Sequence, residues 1–445
     1  MYKLVLTILF LSIGFTAFAQ QGKYDASVDK KTYELFMKSN WGDLREVGNT
    51  AIENGIDFYY LRMRMGISYY QEKNYMSAVS HFEKAVVFSP KDSTALEYLY
   101  YSYLFSGQES EANILGKKLS ASLRRKTGYT SPEFFKGIYT EGGYSYNNNY
   151  NSIKGNGIKG NQGIAGTQNV FKNETYINLS LMHSLGDRVS IFHGYNNIVV
   201  NSLRQYDEPI DGRKDFDVSV KQNEYYINLG IYLGKGYNLT TALHYLNVKL
   251  EDVLPPDLTN PLFTNYTTTT KEMVETFGIT KRLGHTELGY SALLSNLNSG
   301  KQLQNTFTFI WYPLGNMNFY NVSNFIFHSN KSNDSSDNIT RFIFDEKLGF
   351  KVSNKLWAEV VFTAGNLLNY SEGNAFIVYN TVDKIKYKAG FNLISPISKN
   401  LELSFRYLLL SQDYDVTSTN TSFITTTKTN NLLIHKLIGG IKWTF

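Results

Sequence analysis

The chain has 445 residues and not one cysteine. That excludes a disulfide framework, a thiolate metal site and a lipid-modified N-terminal cysteine. A dominant charge sign is also missing: 44 Lys and Arg face 39 Asp and Glu, a net of +5 spread thinly, so no basic stripe suits nucleic acid. Past the N-terminus, no stretch holds the ~20 unbroken apolar residues of a spanning helix. The mean hydropathy of −0.29 is too polar for a bundle of membrane helices. It suits a β-barrel, where only alternate side chains of each strand meet lipid. Catalytic signatures are lacking too. The seven histidines form no H-E-x-x-H and no cluster with metal spacing, and no G-x-S-x-G occurs. His193, His244, His285 and His435 stand singly, as rim or lumen residues of strands do. The expectation is a protein that is not an enzyme, with no catalytic residue, no metal and no cofactor.

What is present falls into three segments. Lys3, an apolar run over 4–16 and the small-x-small pattern Ala17-Phe18-Ala19 make the three parts of a secretory signal over 1–19, with Gln20 as the new N-terminus. The mature chain is then exported, and it enters a membrane, if at all, as strands. From 20 to 128 the hydrophobic period is helical and glycine is scarce. From 129 to 445, beginning after Ser131-Pro132, period-2 alternation takes over and Gly, Asn and Thr become frequent.

The helical segment resembles the tetratricopeptide repeat family, whose period is 34. Its clearest unit runs from about Tyr59 to Asp92, with Gly66 and Tyr69 on a first helix, Ala78, Phe82 and Ala85 on a second, and Pro90 closing it. Small residues at 66 and 78 let two helices approach, Tyr69 and Phe82 fill the groove, and Pro90 stops the second helix. A shift of 34 finds weaker copies on either side: Trp41, Leu44 and Ala51 before it, Tyr103 and Ala112 after it. The resemblance implies a surface that recruits a periplasmic or outer-membrane protein partner.

The second segment reads as an antiparallel transmembrane β-barrel of about 14 strands. The runs begin with 135–146 and 175–184 and end with 356–368, 375–393, 401–413 and 428–445. Short links (Leu185-Gly186-Asp187, Gly234-Lys235-Gly236, Leu283-Gly284, Leu314-Gly315-Asn316, Ser353-Asn354) alternate with long polar ones at 147–172, 205–216, 251–269, 329–338 and 416–427. Two outer links, near Asn298 and Ser371, also read as short. Parity supports the barrel: Leu433, Leu437, Ile441, Trp443 and Phe445 share one face of the last strand, Lys436, Lys442 and Thr444 the other. Tyr225, Ile227, Leu229 and Leu233 likewise alternate with Glu224 and Tyr226. Trp443, Trp311, Tyr232, Phe350 and Trp357 suit an interfacial girdle. Ending at Phe445 resembles the C-terminal signal that barrel-assembly machinery recognises, carried here by Trp443 and Phe445.

On the inward face the alternation places Glu141, Glu174, Glu224, Glu287, Glu359 and Glu402 with Arg341, Lys347, Arg406 and Lys442. Charges there meet water or each other. They line a wet conduit, or they cross-link a lumen occluded by a loop, for which 147–172 is the longest candidate. The order of signal, repeats and barrel resembles polysaccharide-export porins, although only about three repeats are present. Two functions follow. In the first, the barrel anchors a periplasmic helical domain that recruits a partner for an outer-membrane assembly or secretion machine. In the second, the barrel is a porin-like conduit for polysaccharide or solute export. Both place the chain in the outer membrane, in contact with its lipid, lipopolysaccharide included.

Overall fold

The computed structural model describes residues 22–156, 158, 165–208, 212–256, 262–332, 338–381, 383–420 and 424–445. The expected signal segment, 1–19, lies outside them. Two compact units emerge: 22–72 with 78–99, and 73–77 with 100–445. No helix among the described residues is long and apolar enough to cross a membrane.

Seven helices come first: α1 Ala26–Met37, α2 Trp41–Glu53, α3 Tyr59–Gln71, α4 Tyr75–Phe88, α5 Ser93–Phe105, α6 Glu109–Gly116 and α7 Ala121–Thr127. Their starts step by 34 residues, through Trp41, Tyr75 and Glu109 and again from Tyr59 to Ser93. The Asp25 carboxylate caps α1 by accepting from the Ser27 and Val28 amides at 2.9 and 3.1 Å. α4 ends at Phe88, two residues before Pro90, which cannot continue a helix. In the first unit Leu35, Leu44, Ala51, Phe58, Leu61 and Met65 form one buried cluster. Gly66 faces the buried Phe82 ring so closely that a β-carbon would lie 2.6 Å from it. Ala78 and Ala85 are fully buried, and Tyr69 stacks on His81 at 5.4 Å.

The second unit holds a closed antiparallel barrel of fourteen strands. They are β1 Phe135–Asn147, β2 Ala165–Leu185, β3 Val189–Glu208, β4 Gly212–Gly234, β5 Tyr237–Leu254, β6 Thr264–Leu283, β7 Thr286–Ser295, β8 Gly300–Trp311, β9 Phe319–Ser332, β10 Asn338–Ser353, β11 Leu356–Ala364, β14 Ile385–Pro396, β15 Leu401–Thr419 and β16 Thr425–Thr444. Between β11 and β14 lies a separate two-stranded hairpin, β12 Tyr370–Glu372 and β13 Ile377–Tyr379. A short helix, α8 Tyr150–Asn156, follows β1. Closure comes from β1 pairing with β16, where the Phe445 amide donates to the Lys136 carbonyl at 3.0 Å.

Side-chain period 2 sorts the wall as amphipathic strands require. Leu437, Ile441, Trp443 and Phe445 are exposed outward, as are Tyr225, Ile227 and Leu233, while Glu224, Tyr226 and Ile438 are buried inward. Tyr232, expected in the outer girdle, is instead buried inside at 6% exposure, because it shares parity with Glu224 and Tyr226. The long links also differ from expectation. β2 starts at 165, β3 and β4 meet across 208–212, and β15 and β16 run to 419 and from 425, so most of the polar stretches are strand. β4, at 23 residues, spans about 75 Å along its length, far beyond a ~25 Å apolar band. Ladder pairing satisfies the backbone there, and Thr-rich ends such as Thr267–Thr270 stand exposed in water. At the tall end, β15 bends over to pair with β2, Val416 opposite Gln168.

The opposite end is made of tight turns, with Gly284 at φ +59° and Gly234-Lys235-Gly236 all at positive φ. Within the same unit, residues 73–77 and 100–127 bond to these turns. Ser77 Oγ and Asn74 Oδ1 lie 2.9 and 3.0 Å from His285 Nε2, and the Met76 amide donates to the Gly315 carbonyl at 2.9 Å. Arg282 donates to the Ser106 carbonyl at 3.0 Å, and Lys117 pairs with Asp187 at 2.8 Å.

Candidate functional site

Residues 365–381 leave the wall and fold into the lumen. The alternation predicts a short link near Ser371 and a wall strand over 375–393, but the wall resumes only at Ile385. Gly365 turns the chain out of β11 at φ +133°, a conformation open to glycine, with its amide donating to the Lys386 carbonyl at 3.0 Å. β12 and β13 then pair, Ser371 opposite Val378, around a turn in which Gly373, Asn374 and Ala375 all have positive φ.

Side chains from at least four wall strands hold the backbone of this hairpin. Gln304 of β8 makes two bonds to Ser371, donating to its carbonyl at 2.9 Å and accepting from its amide at 3.2 Å. His328 Nε2 of β9 meets the Asn369 carbonyl at 2.8 Å. Tyr226 of β4 donates to the Asn374 carbonyl at 3.0 Å. His244 of β5 places Nδ1 2.7 Å from the Ala375 carbonyl and Nε2 3.0 Å from Glu224. Both ring nitrogens of His244 therefore face acceptors. Asn380 donates to Gln222 and Glu272, both at 2.9 Å, and Asn298 donates to Asn369 at 2.7 Å. Lys388 of β14 and Tyr379 converge on Glu372. Such bonds satisfy the buried backbone without making the hairpin part of the sheet.

Around the hairpin the lumen has two chemistries. Inward-facing Ile326, Ile343, Ile385, Leu408, Leu410, Leu432 and Ile434 form a buried apolar cluster with Leu367 and Tyr370 of the hairpin segment. Ile153 of α8 packs on the same cluster, so the stretch expected to plug the lumen contributes at least this helix, beside the hairpin segment. The polar zone is built on carboxylates. Glu141 accepts from Tyr176 at 2.8 Å and lies 3.8 Å from Arg406. Glu359 accepts from Tyr320 and Asn392 at 2.5 and 2.9 Å, with Lys347 at 3.6 Å.

The other expected lumen charges fall as follows. Glu174 pairs with Lys436 at 2.7 Å, and Glu224 accepts from Asn196 at 2.7 Å. Glu287 meets Arg282 at 3.3 Å beside a tight turn, and Glu402 meets Lys442 at 3.9 Å in a half-exposed position. Arg341 lies inward with no carboxylate beside it among the described residues. Trp443 stands outward, and the Phe445 ring packs on Phe135 at 4.9 Å. Sequence reasoning missed Gln304, His328, Glu372 and Lys388. The first two share inward parity with Thr306 and Ile326, but nothing local says that their partner is a backbone 40 or more residues away. No group of His, Asp and Glu among the described residues is placed to hold a metal ion.

No family model matches the chain, and no curated protein matches it. Among solved structures, the Pseudomonas putida toluene transporter TodX aligns with a TM-score of 0.44 at 9% identity, over 69% of this chain and 90% of that one. A Pseudomonas aeruginosa FadL homologue aligns with a TM-score of 0.42 at 8% identity, over 69% and 90%. The translocator domain of the autotransporter NalP from Neisseria meningitidis aligns with a TM-score of 0.31 at 8% identity, over 77% and 99%. These are likenesses of barrel architecture alone. They lend nothing to the resemblances to tetratricopeptide repeats and to polysaccharide-export porins.

Proposed function

We propose that the chain is an outer-membrane channel of porin type, whose permeability is set by the inward segment 365–381, and that it admits small solutes with apolar character. One observation carries this reading: the hairpin sits inside a fourteen-stranded wall and is held there by side chains rather than by the sheet. A wall of this strand number encloses more space than its own side chains fill. Behind the hairpin lies an inward apolar surface, Ile326, Ile343, Leu408 and Leu432, which Leu367 and Tyr370 of the hairpin segment cover and which their displacement would open to an apolar solute. The alternating wall, apolar outward and ionised inward, supports the outer membrane. The bonds from Asn74, Ser77, Ser106 and Lys117 to the tight turns support a periplasmic position for that part of the chain, since short turns face the periplasm in such barrels.

The test is planar-bilayer recording of the full chain, and of a variant with 367–382 replaced by a short Gly-Ser link. The native chain is expected to show a small or intermittent conductance and the variant a steady current several-fold larger. The anchoring reading, in which the helices recruit a partner and the barrel only fixes position, is favoured by exposed Tyr24, Tyr33, Met37 and Tyr60 in the first unit. It expects the native chain to stay silent even though the variant conducts, so the native recording separates the two.

A further inference from the structure

Five lumen cations of the wall strands pair with carboxylates. Arg204 lies 2.5 Å from Asp252, Lys436 2.7 Å from Glu174, Lys347 3.6 Å from Glu359 and Arg406 3.8 Å from Glu141, while Lys388 holds Glu372. Arg341 has no such partner among the described residues, and its Nε and Nη2 atoms are buried with no hydrogen bond. A buried charge left without an acceptor is costly, so a residue in this state is a place where something else binds. Elsewhere in the chain the same edge shows its use. Arg62 grips Asp57 through Nε and Nη2 at 2.6 and 2.7 Å, and Arg213 grips Asp215 through Nε and Nη2 at 2.8 and 3.0 Å. Two parallel N–H donors match the two oxygens of a carboxylate.

The neighbourhood of that edge also holds unused polar atoms. Arg341 stands directly across the ladder from His328, and His328 stands across from Gln304, so the three form one row over β10, β9 and β8. His328 is wholly buried, with Nε2 spent on the hairpin carbonyl of Asn369 and Nδ1 without a partner. Ser371, two residues further along the hairpin, is 2% exposed and its hydroxyl has no partner. The next inward row of the same strands is Ile343 opposite Ile326, both in the apolar cluster. An ionic edge thus stands one step from fully packed apolar side chains.

We infer that the Nε/Nη2 edge of Arg341 is a binding site for the carboxylate of a small organic acid. The site sits beside the atoms that seat the hairpin, and its occupancy does not depend on whether the lumen conducts. Binding of octanoate, octanol and inorganic phosphate to the purified full chain in mild detergent tests it, with heat-modifiable gel migration confirming that each variant is a folded barrel. Octanoate is expected to bind more tightly than phosphate or octanol. Arg341→Gln should weaken octanoate by about tenfold or more, and Arg341→Lys should weaken it less, because the charge remains and the two-donor edge is lost. Failure of octanoate to bind, or unchanged binding in folded Arg341→Gln, overturns the site. Phosphate binding as tightly as octanoate overturns its assignment to an organic acid.

Discussion

Single side chains decide more in this molecule than their local patterns suggest, and His81 is a case outside the barrel. Its Nδ1 lies 3.2 Å from the Arg62 guanidinium, which is itself held by Asp57. Burial, then the Arg62 charge, holds the imidazole down at about 4, against an ordinary 6.5. The unfolded chain therefore takes up this proton first as pH falls. The contribution to stability is full above about pH 6.5, drains as pH drops toward 4, and amounts to about 3 kcal/mol. Thermal unfolding of the helical far-ultraviolet signal, followed from pH 7.5 to about 4, should show this loss, and His81→Leu should reduce it. Gly66 acts by size instead. Gly66→Ala drives a methyl into the fully buried Phe82 ring and is expected to cost about 1–3 kcal/mol. Gly48→Ala meets only the flexible Met65 thioether and should cost less in the same melt. Both glycines sit on ordinary helices, so the sequence flags Gly66 through the repeat spacing alone, whereas the role of His81 requires the fold.

At the scale of elements, the hairpin is the instructive failure. Residues 375–393 alternate as a wall strand does, and no local rule distinguishes a strand that joins the sheet from one that turns into the lumen. What decides is tertiary: Gln304, His328, Tyr226 and His244 present acceptors and donors to its backbone from strands as far as 148 positions away in sequence. Gln304 is the test case because it satisfies both the amide and the carbonyl of Ser371. Gln304→Leu leaves two buried backbone groups without partners, at about 1–3 kcal/mol each, and should loosen the hairpin. The absence of native cysteine makes this measurable with one engineered thiol. Ser371→Cys should resist a polar thiol reagent in the otherwise native chain and react readily when Gln304→Leu is added. Equal reactivity in both would place the hold on the hairpin elsewhere.

Over the whole molecule, closure is the property on which stability rests. β1 and β16 are the first and last strands, and their pairing leaves no edge in the wall. Deleting 425–445 is expected to expose the edges of both β1 and β15 and to abolish the folded, heat-modifiable band. Deleting Phe445 alone removes one backbone bond to Lys136 and the ring contact with Phe135, and should slow assembly while leaving the folded band. The amino-acid sequence by itself determined the helical start, the count of about fourteen strands, the tight turns and, Tyr232 apart, the outward or inward parity of the side chains named above. These follow from period, turn chemistry and parity, all properties of neighbours in the chain. Only the tertiary structure decided how far the strands extend, which segment enters the lumen, and that Arg341 alone among the named lumen cations lacks a carboxylate among the described residues. Those depend on cross-strand register and on space inside a closed wall, and distance through space is not written in distance along the chain.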